Sequence, residues 1–295
     1  MNDYSKLLAR AETLVERLET LLPGPIADPD WSAAIAFRWR KKDGRGALEP
    51  VSHVHRIELR DLRGIDDQKT LVERNTRQFV EGLPANNVLL TGARGTGKSS
   101  LVKALLNRYA GKGLRLIEVE KQDLVDLPDI VERIAARPER FILYCDDLSF
   151  DADEPGYKAL KVVLDGSIAA ASDNCLIYAT SNRRHLMPEY MHENLEYKHI
   201  GEEIHPGETV EEKISLSERF GISVTFYPFD QDEYLNIVAV WLEHFKVPDA
   251  RSEAVHQAAL QWSLLRGSRS GRVACQFARD WAGRTGLKTL ARRKR

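Results

Sequence analysis

The chain has 295 residues, 43% of them hydrophobic and 29% charged, the balance of a soluble globular protein with room for one large domain or two modest ones. A formal net charge of -1 gives no global pull toward nucleic acid or a membrane surface, so any such preference must come from local patches. No apolar run approaches the roughly 20 residues of a membrane helix, and the first residues lack the apolar core of a secretion signal.

The first predicted element is a helix over 4–22, with Leu7, Leu8, Ala11, Leu14, Val15, Leu18, Leu21 and Leu22 at helical spacing. Pro23-Gly24-Pro25 stops it. An apolar-aromatic run from Ala33 to Trp39 leads into a basic turn with Arg38, Arg40, Lys41, Lys42, Asp43-Gly44 and Arg45, which reads as a hairpin. Tryptophans among arginines can stack on nucleic-acid bases, but more often they pack on one face and are solvated on the other. Residues 1–58 are expected to form a separate N-terminal extension. The Leu-rich helix is expected to pack on its own domain, with a role in assembly as the alternative.

From residue 59 strands and helices alternate. A loop at 61–67, a helix at 68–80 and a turn lead to the strand Val88-Leu89-Leu90. Further strands are predicted at 114–119, 141–145, 176–180 and 222–226, and helices at 101–109, 129–136 and 157–171. An irregular stretch rich in His and Glu covers 185–213. The continuous apolar runs suit strands buried on both faces, so residues 59–228 read as an α/β domain with a doubly wound, five-stranded parallel sheet. Only helical patterns follow, at 232–245, 251–265 and 271–281, giving a helical lid over 229–285 and a frayed basic tail at 286–295. Cys145, Cys175 and Cys275 sit far apart in apolar or helical patterns and read as reduced thiols, which suits a cytoplasmic protein.

One stretch carries most of the chemistry. Gly92-Ala93-Arg94-Gly95-Thr96-Gly97-Lys98-Ser99 lies between a strand and a helix, the context required of a phosphate-binding P-loop, and Ser100 continues it into the helix. The glycines let successive N–H groups point at an anion, and the helix start adds its positive dipole end. Lys98 supplies a point charge for the β- and γ-phosphates, and the Ser99 hydroxyl a ligand for Mg²⁺. Asp146 and Asp147 end an apolar strand at the carboxyl edge of the sheet, where ligands bind in such folds. One can hold the metal shell while its neighbour polarises a water. Asp151, Asp153 and Glu154 are reserves for the second role. Asn182, in Thr180-Ser181-Asn182, can hydrogen-bond the γ-phosphate or orient the attacking water. Arg219 and Arg272 are candidates for stabilising transition-state charge on a terminal phosphate.

In this order the motifs resemble the AAA+ ATPases over roughly residues 59–283, including Leu62-Arg63-Gly64-Ile65-Asp66 ahead of the loop. Cys145-Asp146-Asp147-Leu148-Ser149-Phe150 and Lys213-Ile214-Ser215-Leu216-Ser217-Glu218-Arg219-Phe220-Gly221 look like an uncharacterised bacterial family of ATPases within them. The resemblance implies Walker A at Gly92 to Ser99, Walker B metal and catalytic carboxylates at Asp146 and Asp147, and sensor 1 at Asn182. It also implies an arginine finger at Arg219 and sensor 2 at Arg272, with Arg269 in reserve. The cofactors it implies are ATP and Mg²⁺, and because a finger normally reaches the neighbouring subunit, a homo-oligomer is expected. Most such ATPases have Asp-Glu where this chain has Asp146-Asp147, and a carboxylate one methylene shorter suits slow hydrolysis. The function expected is remodelling or loading of a macromolecular partner, protein or nucleic acid, with an ATP-dependent switch as the alternative. No guanine-reading Asn-Lys-x-Asp occurs, and residues 120–140 lack the aromatic-apolar-Gly triplet of threading motors.

Overall fold

Strand alternation builds the sheet's two cores. In a strand, successive side chains face opposite sides. Ile142 and Tyr144 therefore share one face with Leu90 and Tyr178, while Phe141, Leu143 and Cys145 share the other with Leu89 and Ile177. Both faces are covered by helices, so neither can be polar. A computed structural model describes residues 28–42, 44–150, 154–165, 173–182, 198–200, 203–205 and 216–293, with isolated positions between 4 and 14.

The strands are β1 (Ala36–Lys42), β2 (Arg45–Pro50), β3 (Val88–Gly92), β4 (Leu114–Glu118), β5 (Arg140–Cys145), β6 (Cys175–Thr180), β7 (Lys198–Ile200), β8 (Glu203–His205) and β9 (Ile222–Phe226). The helices are α1 (Asp66–Val80), α2 (Lys98–Tyr109), α3 (Leu127–Ala135), α4 (Pro155–Asp165), α5 (Gln231–His244), α6 (Glu253–Arg266) and α7 (Gly271–Arg293). The main sheet has the order β2-β1-β4-β5-β6-β3-β9, and β7 and β8 form a separate antiparallel pair. The five expected strands are its parallel centre. The α1, α2 and lid side holds one core, which includes Val102 and Leu105 of α2 and Tyr234 and Phe277 of α5 and α7. The α3 and α4 side holds the other, around Ile130, Ile134 and Leu160.

The N-terminal hairpin is not a separate extension. β1 pairs in parallel with β4, from Ala36 opposite Leu116 to Arg38 opposite Glu118, and this raises the sheet to seven strands. Trp31, Phe37 and Trp39 are buried, with the Trp31 ring edge-on to Phe141 at 5.0 Å between centroids. The basic residues meet acids of the segment that starts in β4: Arg38 with Glu118 at 2.7 Å, Arg40 with Glu120 at 2.9 Å and Lys41 with Asp126 at 2.9 Å. The indole N–H of Trp39 also donates to Asp126 at 2.9 Å. Trp31 and Trp39 are core and Arg38, Arg40 and Lys41 are paired within the chain, so these residues are not placed to stack on bases. The sequence hides this because the period-two partners lie about 80 residues downstream.

Two further differences concern the ends. The last helix runs on to Arg293 instead of ending near 281, so the basic tail is largely helical. Leu287, Lys288, Leu290, Ala291 and Arg292 are good helix formers, and they outweigh the roughly 1 kcal/mol that each of Gly283 and Gly286 costs. At the other end, the described apolar positions Tyr4, Leu7, Leu8 and Leu14 are exposed, so at these positions the helix does not pack on its own domain. Asp43, Asp151, Asp153 and, apart from β7 and β8, the stretch 185–213 lie outside the described residues.

Candidate functional site

The sheet registers bring the polar strand ends together. Leu90 of β3 pairs with Thr180 of β6, and Cys145 of β5 with Ala179, so Gly92, Asp146 and Asn182 follow at one carboxyl edge. A cleft of 730 Å³ opens there, between this edge and the lid. Arg94, Gly95, Thr96, Gly97, Lys98, Ser99, Ser100, Asp146, Asp147, Asn182 and Arg272 all line it.

The loop after β3 needs glycine for its shape. Gly97 sits at φ +106° as the N-cap of α2, a left-handed conformation that side chains disfavour. Gly95, at φ +75°, lies against the lid: a Cβ there would stand 2.9 Å from Ser270 Oγ and 3.2 Å from Arg272 Cβ. The Gly271 amide donates to the Gly95 carbonyl at 2.9 Å, so the start of α7 rests on the loop. Lys98 Nζ is folded into its own loop, donating to the carbonyls of Gly92 and Ala93, each at 2.7 Å, and to Asn182 Oδ1 at 3.1 Å. Burial holds its pKa below the ordinary lysine range, against the pull of Asp146 and Asp147. Three donors and a concentrated charge at a helix start are the groups that an anion would engage.

Asp146 and Asp147 differ in environment. Asp146 Oδ1 accepts from Ser99 Oγ at 2.9 Å and from Thr180 Oγ1 at 2.5 Å. Burial opposes its ionisation, but the nearby hydroxyls of Thr180, Tyr144 and Ser99 together outweigh burial and keep its pKa below the usual range. An anionic carboxylate and a hydroxyl 2.9 Å apart are the hard oxygen donors that Mg²⁺ takes, so these residues fit that ion. Asp147 faces outward at φ +53°, its amide donating to Thr180 Oγ1 at 2.9 Å. Its carboxylate accepts from Asn182 Nδ2 and lies 3.8 Å from Arg94 Nη2. Thr180 thus bridges both acids. The tripeptide 180–182 marked this strand end, but its hydroxyl carried no separate signal.

Not every candidate is here. Glu154 is ion-paired with Lys121 at 2.8 Å in a different groove, away from the two aspartates. Arg269 does not line the cleft, whereas Arg272 and Arg279, in the first and third turns of α7, do. Arg219 is also absent from it, and pairs instead with Asp165 at the end of α4. Sequence reasoning missed Arg63, Lys103 and Arg279, and the apolar wall of Ile57, Ile65, Phe229 and Trp241. The segment 62–66 was the available signal for that wall. Trp241 and Arg279 had none, because α5 and α7 bring them to the cleft only through tertiary packing.

No curated protein matches the sequence. The fold matches solved structures of Thermotoga maritima RuvB variants. Two share 16% identity at a TM-score of 0.52, each covering 77% of this chain and 64% of that one. A third shares 17% identity at a TM-score of 0.50, covering 75% and 64%. The chain thus spans just under two thirds of these proteins, and the likeness shows a shared fold, a mostly parallel α/β sheet followed by a helical lid. The sequence profile of the family described as Protein of unknown function (DUF815) matches residues 32–285, hairpin, sheet and lid together, and the chain belongs to that family.

Proposed function

We propose that this protein binds ATP with Mg²⁺ in the cleft, hydrolyses it as a homo-oligomer, and couples that cycle to a macromolecular partner. The observation that supports this most is the convergence of the glycine loop, Asp146, Asp147, Asn182 and Arg272 on one cleft of 730 Å³. Loop amides and Lys98 hold the phosphates, and Lys98 exchanges its carbonyl partners for phosphate oxygens. Ser99 and Asp146 would hold Mg²⁺, which would supply charge neutralisation for the phosphates. Asp147 orients the attacking water and takes its proton, with Asn182 fixing the carboxylate. Arg272 adds positive charge from the lid. The wall of Ile57, Ile65, Phe229 and Trp241 suits an apolar base.

A second reading is a slow ATP-dependent switch. Asp147 is one methylene shorter than a glutamate and is held by Asn182 and beside Arg94, an arrangement suited to restraint. Turnover measured with and without candidate partners, captured on an ATP-trapped variant, separates the two.

The acids are expected to part on mutation. Asp147→Asn should keep ATP affinity within about twofold and lose at least ~10² in turnover, the size typical of a lost general base. Asp146→Asn should raise the Mg²⁺ requirement for nucleotide binding by about tenfold or more, read by titrating Mg²⁺ against a fluorescent ATP analogue. Parental turnover by Asp147→Asn would remove it as the general base.

A further inference from the structure

Four buried side-chain polar atoms lack a hydrogen-bond partner among the described residues, and the Tyr144 hydroxyl alone belongs to a residue beside the two aspartates. Its ring is 2% exposed, on the α2 face of β5. A buried hydroxyl without a partner is destabilising, a cost that phenylalanine in the same space would not carry. Tyr144 pairs with Tyr178 across the strands, and Asp146 and Thr180, two residues further on, are joined to each other and to Ser99, so the hydroxyl has these three for neighbours and meets hydrogen-bond geometry with none of them. Asp146 Oδ1 is already served by Ser99 at 2.9 Å and Thr180 at 2.5 Å. Tyr144 is therefore a third donor beside an oxygen that has two.

We infer that Tyr144 is a positioning residue for the metal shell: when Ser99 gives its oxygen to a divalent cation, the Tyr144 hydroxyl replaces it as donor to Asp146. The inference rests on the Mg-ATP reading above and adds a residue to it. Ligating carboxylates are commonly held by such outer donors, whose loss typically costs 10–100-fold in metal affinity. The unpartnered hydroxyl is then an arrangement for the metal-loaded site.

Tyr144→Phe tests this with two readouts. The melting temperature of the protein without metal or nucleotide is expected to stay level or rise by a few degrees, since an unsatisfied group has been removed. The Mg²⁺ concentration for half-maximal binding of a fluorescent ATP analogue is expected to rise about tenfold, with metal-free nucleotide affinity unchanged. Asp146→Asn runs alongside. If it raises the Mg²⁺ requirement and Tyr144→Phe does not, the inference fails while the Mg-ATP reading stands. If neither moves, both fail. A melting temperature lowered by several degrees with an unchanged Mg²⁺ requirement would make the hydroxyl structural and overturn the inference.

Discussion

Lys98→Ala is expected to lose at least about 10²-fold in ATP affinity. Two charge-assisted hydrogen bonds to phosphate contribute ~1.5–3 kcal/mol each, and every 1.4 kcal/mol is a tenfold change in binding. The ammonium already sits against its own loop, and its carbonyl partners Gly92 and Ala93 belong to the loop that would receive the phosphates. Burial depresses its pKa, so an arriving polyanion is met by a partly desolvated cation, which strengthens the attraction. Removing it also strips Asn182 Oδ1 of its donor, so some loss of melting temperature should accompany the binding defect. Titration of a fluorescent ATP analogue checks the result. Undiminished binding by Lys98→Ala would sink the assignment of this loop to phosphate.

What was legible in the sequence follows from how local each signal is. The glycine loop is local: strand, left-handed turns and helix start all lie within about a dozen residues, so spacing alone identifies it. The strand ends at Asp146 and Asn182 were legible for a related reason, since a parallel sheet places the ends of neighbouring apolar runs side by side. That the hairpin joins the main sheet was not legible, because this depends on Trp31 reaching Phe141 and on Arg38 reaching Glu118, contacts set by topology. The lid's contribution was half visible. Arg272 follows a glycine and opens a helix, whereas Arg279 and Trp241 reach the cleft only through the angle at which α7 and α5 meet the sheet. Thr180 looked like an ordinary strand residue, and its double role between Asp146 and Asp147 exists only in three dimensions.

Arg219→Ala is expected to bind ATP as the parent does and to hydrolyse it about 10³-fold or more slowly, the range an arginine delivered to a γ-phosphate contributes. Its position motivates this. Arg219 stands just before β9, outside the cleft of its own chain, in an ion pair with Asp165 at the end of α4. An arginine so placed can act on a terminal phosphate only if that phosphate belongs to another copy. The Asp165 pair then acts as a holder: with side chains 23% and 44% exposed, it is partly screened by water and cheap to exchange for a phosphate. The prediction separates trans from cis through complementation. Arg219→Ala protein keeps an intact Asp147, and Asp147→Asn protein keeps an intact Arg219, so mixing two inactive variants should regenerate complete sites at some interfaces. Turnover should therefore reappear on mixing and grow as the two approach equal amounts. The same arrangement requires that saturating ATP favour an assembly heavier than one chain, measured as mass in solution. No rescue on mixing, together with a monomeric mass in saturating ATP, would leave Arg219 as a partner of Asp165 that braces α4 against β9 and nothing more.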